Sequence, residues 1–201
     1  IVPVSRPVHI NQVLRRAGWL AVRRGPFGEM LDTFDSKAFA VSDHQIAHVY
    51  VDGVDPAVVR RELQAVPGIG TVVDPGEVGL AHARSGELVA LADEDAWFTY
   101  DYWLDEASAP DFANTVDIHR KPGFDPCELL MGSRTKAAMR LVQKNLGFRY
   151  RMDVVRLEPE AIRGSHGLRP APGRGPLIVG EGAPDDMVDF RGYVRGLLQT
   201  G

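Results

Sequence analysis

Between Lys37 and Ala92 the chain alternates short apolar runs with one proline-opened amphipathic stretch, and this alternation limits its fold more than any other feature. Ala38-Phe39-Ala40-Val41 and Ile46 to Val51 have the length and the β-branched, aromatic content of strands. Polar Ser42-Asp43-His44-Gln45 separates them. From Asp55 the pattern Pro56-Ala57-Val58-Val59-Arg60-Arg61-Glu62-Leu63 puts proline in a first helical turn, where its missing N–H is no loss. Pro67-Gly68 ends that helix, and Ile69 to Val73 and Glu87 to Ala92 supply two further strands. Strand, helix and strand at these lengths make a small α/β unit.

The flanking segments fit the same class. Val8 to Leu20 carries Ile10, Val13, Leu14 and Ala17 at helical spacing, with Gly18 close after the end. Trp19 to Val22 is a short strand, and Arg23 to Asp35 is a loop or hairpin around Gly25-Pro26 and Gly28. Gly79 to Ala83 is a short helix or a loop. Trp97 to Trp103 is the densest aromatic cluster, either a strand filling the core or a pocket wall. Thr135 to Leu146 is a basic amphipathic helix with Lys136, Arg140 and Lys144 on a solvated face. Tyr150 to Leu157 reads as a strand, and Asp185 to Leu198 as a terminal helix.

With 201 residues and 44% hydrophobic content, the chain can bury one substantial core. Its net charge of -4, with Lys and Arg scattered, argues against a nucleic-acid platform and a polybasic membrane contact. No apolar run reaches membrane-spanning length. The single cysteine, Cys127, excludes an internal disulfide framework and fits a reducing, cytoplasmic setting. The chain opens on Ile1-Val2-Pro3-Val4 without an initiator methionine, so an N-terminal part of a longer protein is expected before it.

Three polar islands could carry chemistry. In Gly164-Ser165-His166-Gly167 two glycines permit turn geometry and leave the imidazole accessible. The run Pro176-Leu177-Ile178-Val179 after it reads as a short buried strand. His166 is then a loop histidine without duty, or a metal or catalytic histidine mounted at a sheet edge. Asp43-His44 is a structural turn or a metal or substrate contact. Both side chains can face one ion only if the backbone bends, because adjacent strand residues point to opposite faces. His48 reads as a histidine satisfied within its strand. The third island, Asp117 to Pro126, packs His119, Arg120 and Lys121 with two carboxylates and two prolines into ten residues. It is a polar surface loop or a binder of an anion such as phosphate. Asp93 with Asp95 and Asp185 with Asp186 read as strand-end and helix-start charges, and His9 and His82 show no polar company.

Taken in order, Lys37 to Val51, Gly86 to Ala92, Val116 to Pro126 and Gly164-Ser165-His166-Gly167 resemble the C-terminal half of bacterial type I phosphodiesterase/nucleotide pyrophosphatase proteins of the alkaline phosphatase superfamily. The resemblance runs from Val2 to about Val179. It implies an α/β fold: part of a three-layer alkaline-phosphatase-like sandwich with a small inserted α/β lobe. Residues 1–51 would belong to the main core, 52–85 to the lobe, and 86–201 to the rest of the core with pocket loops and the terminal helix. It also implies two divalent metal ions, usually zinc, in the intact protein, though not held tightly by this fragment alone. His166 matches the family's late histidine ligand. Asp43, His44, His119, Arg120 and Lys121 would contact a phosphate-containing small molecule. The Thr or Ser nucleophile and the other ligands are expected upstream of Ile1, in the N-terminal part of the same protein, leaving this part inactive alone. The alternatives are a non-catalytic binding module that keeps the fold, and a phosphonate hydrolase relative.

Overall fold

In a computed structural model, which describes residues 1–124, 126–171, 173–175, 177–185 and 187–199, the alternating runs become a five-stranded mixed sheet flanked by helices. The chain enters through β1 (Val2–Pro3), β2 (Arg6–Val8) and α1 (Ile10–Arg16), then forms the hairpin β3 (Ala21–Gly25) and β4 (Gly28–Asp32). β5 (Ala38–Asp43) and β6 (Ile46–Val51) follow, then α2 (Pro56–Gln64), β7 (Ile69–Val73), β8 (Leu88–Ala92) and β9 (Ala96–Phe98). The later elements are β10 (Gly123–Phe124), α3 (Arg134–Asn145), β11 (Gly164–Ser165) and α4 (Phe190–Gln199).

The sheet order is β10-β5-β6-β8-β7, with β10 parallel to β5 and the other pairs antiparallel. Alternation along β5 and β6 buries Ala38, Ala40, Ala47 and Val49. α2 starts at Asp55, whose carboxylate accepts from Ala57 N, and buries Val59 and Leu63 one turn apart. Each such fully buried side chain contributes about 1.5–3 kcal/mol relative to exposure. Residues 52–85, expected as an inserted lobe, hold α2 and β7, and β7 bonds to β8 at the edge of the same sheet. The α/β class read from the sequence is the class observed.

β2 pairs parallel with β9, which carries Trp97 and Phe98 into the interior. Tyr100 and Tyr102 follow, and their hydroxyls donate to the carbonyls of Ala113 (2.9 Å) and Glu29 (3.0 Å). Burial pushes the Tyr102 phenol up to about 12. The aromatic cluster is therefore core, and Tyr100 and Trp103 also line a cavity.

Two local readings are corrected. Tyr150 to Leu157 is not a strand; it makes one isolated bridge, Val155 to Met131. The expected buried strand after His166 is not formed either, since Leu177 and Val179 are 84% and 85% exposed; Pro176 lies outside the described residues. Apolar content alone could not supply the partner strands that these segments lack.

The chain divides into two compact units, Ile1–Leu168 and Arg169–Gly201. The second contains α4, which buries none of its described residues. In the first, α3 begins at Ser133, whose hydroxyl accepts from Lys136 N, and likewise buries none. Its basic face is not merely solvated: Lys136 Nζ and Arg140 Nε each lie 2.8 Å from the Asp153 carboxylate.

Candidate functional site

The turn between β5 and β6 is two residues long, because Asp43 pairs with Ile46 across the hairpin. In such a tight turn a positive φ at the first central residue matches the twist of the strands, and glycine is the usual occupant. Here the position belongs to His44, with φ 60°, alone among described non-glycine residues in that region. This is the bend that the Asp43-His44 step requires if both side chains are to work together. The carboxylate of Asp43 accepts from His44 Nδ1 at 2.7 Å, which leaves Nε2 as the lone-pair nitrogen of that tautomer.

Two chain-distant segments lock onto this turn. Phe124 O accepts from His44 N at 3.3 Å, and Gln45 N donates to His166 O at 2.9 Å. On the inner side, Phe98 N donates to His44 O at 2.7 Å and the Gln45 amide donates to Ala96 O at 3.0 Å. Glycine is needed where the backbones meet. A Cβ on Gly123 (φ +127°) would lie 2.3 Å from Ser42 O, and one on Gly167 (φ +124°) would lie 3.2 Å from Gln45 N.

The result brings together two of the three islands at the side-chain level. The rings of His44 and His166 stack with centroids 4.0 Å apart and planes 25° from parallel. His44 is partly buried and His166 exposed, with the open carboxylate of Asp43 beside them. His166 is mounted by the pairing of β11 with β1, not by a strand that follows it.

The third island joins through its backbone. His119 and Arg120 sit on an exposed helical turn, Ile118–Arg120. Arg120 stands 5.0 Å from the Phe112 ring centre and 3.6 Å from the Asp111 carboxylate. The Lys121 ammonium has no exposed surface; it lies 3.2 Å from Glu128 and 5.2 Å from the Tyr100 ring centre. Both cations therefore already hold carboxylates. Asp125, the second acid of this island, lies outside the described residues.

Two imidazoles and one carboxylate are chemically suited to part of a metal donor set. Among the described residues, no group of three or more His, Cys, Asp or Glu side chains is placed to hold a metal ion. The described side chains therefore do not by themselves fit a two-metal centre. What the pair can do alone is accept or donate protons at an open surface and hydrogen-bond an anionic oxygen.

Sequence reasoning missed one cluster altogether. His9 does have polar company: its Nδ1 lies 2.9 and 3.0 Å from the two oxygens of Asp101. His82 Nδ1 accepts from Arg84 N at 3.1 Å. The His9 partner is ninety-two positions away, and no local spacing announces it.

The chain matches the family model described as type I phosphodiesterase / nucleotide pyrophosphatase over residues 1–125, a span that ends before His166. No curated protein matches it. Similar solved structures are those of phosphonoacetate hydrolase from Sinorhizobium meliloti 1021. In complex with phosphonoacetate the identity is 16%, over 52% of this chain and 25% of that one, with a TM-score of 0.34. In complex with phosphonoformate it is 16%, over 46% and 23%, with a TM-score of 0.32. The chain thus spans about a quarter of the length of those proteins.

Proposed function

Because the chain belongs to the type I phosphodiesterase/nucleotide pyrophosphatase family, we propose that it forms one wall of a metal-dependent phosphoric-ester hydrolase site. On this reading His166 is a metal ligand, and His44, oriented by Asp43, contacts the substrate's phosphoryl group. The nucleophile and the remaining ligands come from an N-terminal part of the same protein. The observation that carries the proposal is the stacking of His44 on His166, residues 122 positions apart, at a turn held by all three polar islands. A backbone strained at a non-glycine residue, with its imidazole held by a carboxylate, is the kind of arrangement that function retains. His119 belongs to the same wall as a substrate contact. Arg120 and Lys121 support the wall by neutralising Asp111 and Glu128.

The test compares this chain with a longer protein that includes the family's N-terminal portion, on a bis-nitrophenyl phosphodiester with zinc or manganese. The longer protein should turn over and lose at least about a hundredfold in rate with His166→Ala, as expected for loss of metal chemistry. The 201-residue chain should be inert, because the covalent step requires an absent nucleophile. Turnover by this chain alone removes the upstream nucleophile from the proposal. A longer protein that binds no metal and is indifferent to His166→Ala removes the enzyme and leaves a binding module.

A further inference from the structure

The cluster around His9 is built on residues that the proposed hydrolase wall does not use. Asp101, 9% exposed, receives His9 Nδ1 through both its oxygens and also accepts from Gln12 Nε2. Thr99 Oγ1 lies 3.2 Å from the same ring nitrogen. In the neutral ring, with Nδ1–H donated to the carboxylate, Nε2 carries the lone pair, and among the described residues it has no hydrogen-bond partner. The imidazole edges a cavity of about 300 Å³, near the lower limit of small-molecule pockets.

The chemistry of its lining is one-sided. Tyr100 and Trp103 supply aromatic surface, while Asp101, Glu106 and Glu160 supply three carboxylates. No lysine or arginine is among the described lining residues. Glu106 accepts from Trp103 Nε1 at 3.2 Å, which fixes one acid against the aromatic wall. Carboxylates with no lysine or arginine beside them in the described lining, next to aromatic rings and a ring nitrogen oriented by Asp101, match a ligand with N–H donors, positive charge and a short carbon body.

We propose that this cavity binds a small organic ammonium ion. Its N–H groups donate to His9 Nε2 and to Glu106 and Glu160, and its carbon body lies against Tyr100 and Trp103. Protonated His9 competes with such a ligand, because it loses the acceptor and adds a like charge to the same space. The groups facing His9 are Asp101, Glu160 and Glu106, with Arg16 as the opposing cation. The hydrogen bond to Asp101 raises the His9 pKa, against burial and Arg16 and with help from Glu160. Ammonium binding therefore tightens as pH rises through the His9 titration, and the bound cation draws that titration downward.

The probe pair is benzylamine and benzyl alcohol, equal in shape and different in charge. Each is titrated into the 201-residue chain by calorimetry at pH 6 and pH 8, with the His9 ring proton followed by NMR. Benzylamine should bind saturably and move the His9 signal, and the alcohol should bind at least about tenfold more weakly. Affinity for the amine should be higher at pH 8. Glu160→Gln, at an exposed position, should weaken it about threefold. Equal affinity for amine and alcohol, an unmoved His9 signal, or no saturable binding by the folded chain overturns the proposal. So does an amine affinity indifferent to Glu160→Gln.

Discussion

His44 holds a backbone conformation that its own side chain disfavours. Left-handed geometry costs a residue with a Cβ about 1–2 kcal/mol, and glycine escapes the cost. Its backbone bonds to Phe124 and Phe98 do not need an imidazole. His44→Gly should therefore keep stability unchanged or raise it by up to about 1 kcal/mol, the strain relief being partly offset by the freer unfolded chain. His44→Val, β-branched at a positive φ, should lose about 1–2 kcal/mol. Urea midpoints of the two variants measure this directly, and a valine variant as stable as the parent would show that the turn stores no strain. The sequence did state the condition for Asp43 and His44 to act together, namely a bend. It could not show that the bend exists or that His166 lies across it, since ring stacking over 122 positions leaves no local pattern. The His9–Asp101 pair escaped notice for the same reason.

At the scale of elements, what was legible depended on where the partner lies. α1, α2, β5 to β8 and α3 announce themselves through periodicity, caps and short turns, all of which act within a few residues. Tyr150 to Leu157 and Leu177 to Val179 show the opposite case: apolar runs resemble strands, but whether a sheet edge is free to receive them is decided elsewhere in the chain. One non-local joint is strong enough to test. Asn11, fully buried on α1, donates to Ala40 O and accepts from Ala40 N, both at 2.8 Å, so its amide serves β5 as a neighbouring strand would. Asn11→Leu leaves a buried N–H and a buried carbonyl unpaired and should cost about 2–4 kcal/mol. Asn11→Asp keeps the acceptor and loses the donor, so it should also destabilise, with the deficit greatest where the acid is ionised. Thermal or urea unfolding at neutral pH reads both, and a leucine variant within about 0.5 kcal/mol of the parent would mean that other groups satisfy Ala40.

Across the whole molecule the titrating groups pull stability in from both sides of the pH scale. Burial would raise the Asp153 carboxyl, yet hydrogen bonds from Arg140 and Lys136 outweigh it and bring it down to about 2. Glu29 is lowered chiefly by the Arg15 guanidinium, against burial, with Arg24 assisting. A carboxylate depressed in the folded state stabilises it above the unfolded pKa of about 4, and that contribution is lost as pH falls through the folded value. His9 has the opposite sign. Its pKa is raised by Asp101, so its contribution is complete below the unfolded value of about 6.5 and disappears as pH rises through the folded one. These three groups together place maximum stability between about pH 4.5 and 6.5. Urea midpoints from pH 3 to pH 8 should trace that dome. Asp153→Asn should flatten its acid limb and leave the neutral limb in place. Asp101→Asn should do the reverse, because a neutral amide no longer favours the imidazolium over the imidazole. A neutral limb that keeps its slope in Asp101→Asn would assign the loss of stability above pH 6.5 to some group other than His9.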